Sequence, residues 1–144
     1  RELAAGIVSP WADPSRLKLV DSQPKAAIGK LLANLALAIS AEGMKEALLF
    51  GDATGLTAAE TLDLLDSTGL SFMANLKRDF VLGDRSTDPG DFTVDALCKD
   101  SKLMLDTAGQ VLPGIQAAVE SFTIQQDHGR GDHDFSAILV HRSE

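Results

Sequence analysis

The sequence holds a single cysteine, Cys98, and that scarcity closes several routes at once. One thiol forms no internal disulfide and no cysteine-rich zinc site, and it suits a cytoplasmic setting. Positive charge is scarce too: 13 Lys and Arg stand against 21 Asp and Glu, for a formal net charge of −8. So acidic a chain lacks the basic surface that phosphate backbones require, and no nucleic-acid partner is expected. Nor does any unbroken apolar run approach the roughly 18 residues needed to cross a bilayer. The longest candidate, Ile28 to Ile39, is interrupted by Lys30 and Asn34, so no membrane association is expected. A secretory leader is missing, and the first residue is Arg1 rather than Met, which suits a processed or trimmed piece.

Familiar chemical signatures are absent as well. There is no G-x-G-x-x-G turn, no G-x-x-x-x-G-K-[ST] loop and no G-x-S-x-G elbow. Nothing here would cradle a nucleotide's phosphates alone or expose a serine nucleophile. His128, His133 and His141 lack the i, i+4 spacing of a helical metal pair, and Asp127, Asp132 and Asp134 do not follow the calcium-loop pattern. Arg130-Gly131-Asp132 spells an adhesion tripeptide, but three letters carry almost no information and a turn accounts for them.

What is present fits one folded domain. The chain has 144 residues, 44% hydrophobic and 24% charged, enough to bury a sizeable core. Residues 1–25 contain Pro10, Pro14 and Pro24 and read as a linker, with Leu17 to Val20 as a short strand. From Ala26 to about Gly51 apolar residues fall on nearly every side, which predicts a long helix buried in the middle of the domain. Gly43 interrupts it, at about 1 kcal/mol relative to Ala, as a mark of close packing or a kink. Thr57 and Glu60 form a capping box that opens a helix ending near Thr68-Gly69. Further helices are expected over Leu70–Phe80, Phe92–Ala108, Pro113–Gln126 and Phe135–His141, the last with Asp132 or Asp134 as N-cap. Strand signals are nearly absent. The fold expected is all-α, a long central helix packed in a multi-helix bundle over 26–144.

Two polar pairs stand out against this apolar background. Lys30 and Asn34 lie one helical turn apart on the long helix, and polar groups on a buried face are costly unless they pair or line a cleft. A desolvated lysine is also shifted toward the range useful for proton transfer. By pattern alone two readings stay open: a catalytic pair, or a lysine that snorkels to solvent beside an asparagine that bonds a neighbouring loop. Lys99 and Asp100 follow Asp95 at helical spacing, and pattern alone favours a solvated face there.

Read from Lys30 onward, ordered features add a further argument. Gly29 to Ile39 looks like a K-x-x-x-N helix; Gly43, Glu46-Ala47 and Gly55-Leu56 follow it. Phe92 with Leu97-Cys98-Lys99-Asp100, then Leu112-Pro113, then Gly129 to Ala137 complete the series. In these features the chain resembles the C-terminal helical domain of the β-hydroxyacid dehydrogenases, of 3-hydroxyisobutyrate and 6-phosphogluconate dehydrogenase type. That resemblance implies the 6-phosphogluconate dehydrogenase C-terminal-like fold and an NAD- or NADP-dependent oxidoreductase of a small hydroxy acid or its carbonyl counterpart. It implies Lys30 as the catalytic acid/base and Asn34 as a hydrogen-bonding contact to the substrate or to Lys30, assigned here to substrate binding. Lys99, Phe92 and Asp100 would lie on the cofactor side. The cofactor would be bound mainly by a Rossmann domain absent from this chain, of which residues 1–25 would be a remnant, and the helical domain would form a homodimer. The alternative is a non-catalytic helical dimerisation or binding module derived from the same fold. The approach to the helix, Asp21 to Ile28, departs from the family's glycine-rich pattern and leaves Lys25 as an extra cation.

Overall fold

The computed structural model describes Gly6, Asp13 and residues 18–144. Most of the expected linker, with Leu17 and the three residues before it, lies outside the described residues; residues 18–20 carry no strand. The chain divides into two units, Arg1–Leu32 and Ala33–Glu144. Six helices follow in order among residues 18–144: α1 (Gln23–Thr54), α2 (Ala58–Leu65), α3 (Ser71–Leu82), α4 (Val94–Ala108), α5 (Pro113–Asp127) and α6 (Ala137–Val140). Among the described residues the only extended pairing is an isolated antiparallel bridge between Thr93 and Asp134. The domain is all-α, as the periodicity implied.

In the first unit, helix begins at Gln23 rather than Ala26, with Pro24 in the first turn, where its missing N–H has no helical partner to lose. Lys25 pairs with Asp21 at 2.7 Å, so the extra cation of this segment is neutralised locally. Every residue from Asp21 to Lys30 is exposed. The expectation of a helix buried on all sides is therefore corrected for this stretch: apolar density says what a residue would bury, not what is there to cover it.

From Ala33 onward α1 packs by one stripe. Its buried residues are Ala38, Ala41, Met44, Leu48 and Gly51, spaced by three and four as one helical face demands. By length and composition α1 is apolar enough to cross a bilayer, which a count of unbroken apolar runs did not register. Its buried stripe has the pattern of a core helix. Gly43 is not the close-packing position: a Cβ there would meet Leu70 at 3.9 Å, an ordinary contact. Close approach occurs at Gly51, where a Cβ would lie 2.2 Å from Thr61 Oγ1 on α2. The start of α5 also comes close to α1, with a Cβ on Gly114 reaching Ile39 at 3.4 Å.

Local signals set the helix ends. The Thr57–Glu60 capping box forms as expected, with the Glu60 amide donating to Thr57 Oγ1 at 3.2 Å and the Thr57 amide donating to the Glu60 carboxylate at 2.8 Å. The Thr57 amide and hydroxyl, both donating to the Glu60 carboxylate, hold its carboxyl below the ordinary value. Helix α3 stops at Gly83, whose φ of 83° is a left-handed conformation that glycine adopts without a Cβ clash. Helix α4 has three N-terminal amides satisfied from different sources. Val94 donates to His133 O and Asp95 to Gly131 O, each at 2.9 Å, while Ala96 donates to the Thr93 hydroxyl at 3.2 Å.

Those bonds belong to a seam that ties the segment before α6 to the loop before α4. Asp134 N donates to Thr87 O at 2.7 Å and Phe135 N to Phe92 O at 2.9 Å. Gly90 lies inside this seam: a Cβ on it would come within 2.4 Å of Asp134 N and 2.6 Å of His133 C, backbone atoms with no freedom to turn away. Beneath the seam lies a buried ion pair. Lys77 Nζ on α3 contacts Asp134 Oδ1 at 2.7 Å, and the two side chains are 6% and 0% exposed. The ammonium also sits 4.0 Å from the centre of the Phe135 ring and 4.8 Å from that of Phe80. Asp132 or Asp134 was expected to cap the last helix; Ser136 holds that place without a side-chain bond. Asp134 Oδ1 instead accepts from the Ser136 amide at 2.9 Å, two residues on, in a local side-chain turn before the helix. Burial pushes the Asp134 carboxyl up, but the bonds from Lys77 and Ser136 and the Lys77 charge outweigh it, so the carboxyl lies below its ordinary value.

Two measurements follow from this packing. Gly90→Ala should lower stability by about 1–3 kcal/mol or more through overpacking, whereas Gly43→Ala should raise it by about 0.5–1 kcal/mol through helix propensity; urea midpoints at constant slope read both. The Asp134 carboxyl is depressed on folding, so its contribution is complete above the unfolded value near 3.8 and disappears as pH falls through the lower folded value. Melting temperature should therefore fall steeply below about pH 4. Asp134→Asn should flatten that fall and cost about 3–5 kcal/mol at neutral pH by leaving Lys77 buried without its counter-charge. An unchanged acid limb in the variant would show that other carboxylates control it.

Candidate functional site

The polar centre of the second unit is a bond between two helices. Asn34 Nδ2 on α1 donates to Asp100 Oδ2 on α4 at 2.7 Å, although 66 residues separate them. Asn34 is half-buried and Asp100 only 5% exposed. Pattern had favoured a solvated face for Asp100; the structure corrects this. Val94, Leu97, Ser101 and Met104 are buried with Asp100, so the inner face of α4 includes it. A carboxylate in such a place is stable only with hydrogen-bond donors supplied to it.

Lys99, one residue earlier and so turned about 100° around the helix, is exposed. It lines an open groove of about 420 Å³ along α4, together with Asp95, Lys102, Asp106 and Gln126. The groove is built around polar contacts: Gln126 Nε2 donates to Asp95 Oδ1 at 2.6 Å, and the buried Cys98 thiol donates to Gln126 Oε1 at 3.6 Å. Two lysines face two aspartates there, so the groove does not favour an anion by net charge. It offers a dinucleotide one or two ammonium contacts and no phosphate cradle.

Phe92 lies elsewhere. Its ring meets Phe135 edge-on, with centroids 6.1 Å apart, and its carbonyl accepts the Phe135 amide. Its environment is thus the seam, not the groove. Lys30 lies in the first unit and is exposed, so this chain does not supply the desolvation that pattern reading attached to it. Of the five residues singled out in sequence, the structure brings Asn34 and Asp100 together and gives Lys99 and Phe92 separate neighbours.

The strongest buried charge, Lys77 with Asp134, was missed. A signal existed: Lys77 falls on the stripe of Met73, Ala74 and Phe80, where α3 is otherwise apolar. A charged residue at a core position of a helical stripe implies a buried partner. The histidines hold local structure. His128 Nδ1 lies 2.8 Å from Ile124 O at the end of α5, and His133 Nδ1 2.9 Å from the Thr87 hydroxyl. Burial pushes His141 below its ordinary value, with the Arg130 charge adding to the effect and Glu144 opposing it. Among the described residues, no three His, Cys, Asp or Glu side chains gather as metal ligands would.

Comparison with known proteins adds a family to this geometry. No curated protein matches the chain. A family model described as "NAD-binding of NADP-dependent 3-hydroxyisobutyrate dehydrogenase" matches residues 25–141. That span takes in α1 from its first turn, the Asn34–Asp100 bond, the α4 groove and the Lys77–Asp134 seam. The chain belongs to this family, and its all-α fold fits the C-terminal helical domain of the β-hydroxyacid dehydrogenase family.

Proposed function

We propose that the chain is the helical half of an NAD(P)-dependent oxidoreductase that interconverts a small hydroxy acid and its carbonyl counterpart. Lys30 is its general acid/base, Asn34 holds the substrate and Lys99 contacts the cofactor. The family match carries this reading, because residues 25–141 include all three positions. The Asn34–Asp100 bond supports it, since it keeps the Asn34 side chain ordered within the apolar stretch of α1 from Leu31 to Ile39.

The bound nicotinamide supplies the hydride chemistry. The chain's own residues handle the proton. In reduction Lys30 Nζ donates it to the forming alkoxide oxygen, and in oxidation Lys30 Nζ takes it from the hydroxyl. Asn34 orients the oxygen-bearing carbon by hydrogen bonding, and Lys99, exposed on the α4 groove, meets the cofactor through its ammonium. The main phosphate cradle belongs to a Rossmann domain outside this sequence, which itself has no glycine-rich turn. In the oxidoreductase that contains this chain, Lys30→Ala should reduce kcat by about 10²–10⁴-fold without loss of helical circular dichroism. Full activity in that variant would overturn the role of Lys30.

A second reading, self-association, is favoured by one observation. Phe72 and Leu76, one turn apart on α3, are 63% and 47% exposed. Phe72 also borders a small cavity of about 130 Å³ with Ala33, Ala36, Leu37 and Ser40 of α1. Apolar surface of this kind suits a second copy of the chain. Light scattering should show a dimer that Phe72→Asp dissociates; a monomer at high concentration would count against it.

A further inference from the structure

Asparagine is ambiguous as a recognition group. Its amide offers two donors on one side and an acceptor on the other, and a half-turn about its last bond exchanges them. Asn34 has this ambiguity removed. Its partner Asp100 is an aspartate, whose carboxylate offers acceptors alone, and the 2.7 Å contact therefore takes the NH₂ side of the amide. Asp100 is itself held by burial on the inner face of α4, 5% exposed, so it is not a mobile surface group that swings away.

We propose that Asp100 is a positioning residue, whose buried carboxylate locks the Asn34 amide so that its carbonyl oxygen is presented to the substrate. This rests on the assignment of Asn34 as a substrate contact made above. It moves Asp100 from the cofactor side, where resemblance had put it, to the substrate side. An acceptor at Asn34 has a chemical consequence. It receives a hydrogen bond from the hydroxyl of a hydroxy acid and has nothing to receive from the carbonyl of the oxidised counterpart. The Asn34–Asp100 pair thus discriminates between the two sides of the reaction by hydrogen-bond polarity.

The test combines a mutant cycle with a signal that needs no substrate. Asp100→Asn is near-isosteric but can turn either face of its own amide toward Asn34, so the lock is lost while shape is kept. In the active oxidoreductase this variant should raise KM for the hydroxy acid about 3–10-fold, the weight of one ordinary hydrogen bond. KM for the carbonyl partner should rise less, and KM for the nicotinamide cofactor should not move. In an Asn34→Ala background the Asp100→Asn change should add nothing further. Additive effects, or a shift confined to the cofactor, would overturn the proposal. Separately, NMR of the 144-residue chain should show Asn34 side-chain NH₂ protons protected from solvent exchange in the wild type and less so in Asp100→Asn. Wild-type protons exchanging at the free rate would also overturn it, whether or not the variant folds. If Asn34→Ala leaves substrate KM unchanged, the substrate role of Asn34 fails, and with it the proposal, even where the amide is shown to be locked.

Discussion

Lys77 and Asp134 place opposite charges where almost no water reaches, and the segment leading into the last helix is organised around that contact. The carboxylate receives the ammonium of α3 and the amide of Ser136, and two aromatic rings face the ammonium. Either charge alone would be expelled from such a site; together they hold the chain from Gly131 to Phe135 against the loop before α4. The first amides of α4 then find their acceptors in that same stretch. Helix α4 is capped locally by Thr93, and the pinned loop from the far end of the chain supplies the acceptors for its first two amides.

The position of α4 matters because its two faces do different work. The inner face buries Asp100 with Leu97, Ser101 and Met104, and from there Asp100 reaches Asn34 on α1. The outer face leaves Lys99 and Lys102 along an open groove. Consecutive residues Lys99 and Asp100 diverge by the roughly 100° turn of a helix, so a two-letter motif resolves into two separate environments.

Much of the fold was legible in sequence. Helical periodicity with little strand signal identified an all-α domain, and the Thr57–Glu60 box and Pro113 fall where capping and start rules put them. These are local effects, written within a few residues. The ordered features from Lys30 to Ala137 likewise identified the family that the comparison confirmed. Tight packing was misplaced, at Gly43 instead of Gly51, because a glycine in a helix looks the same whether or not a neighbour crosses it. Asp100 was read as solvated for a similar reason: one acidic residue on an amphipathic helix carries no mark of the distant amide that meets it.

What the sequence alone determined is therefore helix content, some helix caps and family, since each depends on short-range spacing and side-chain chemistry. Tertiary structure decided which polar groups are buried and with whom. Lys77 and Asp134 are 57 residues apart and Asn34 and Asp100 are 66 apart. The sign of each such group, stabilising when partnered and costly when alone, depends on that long-range contact. No periodicity encodes it.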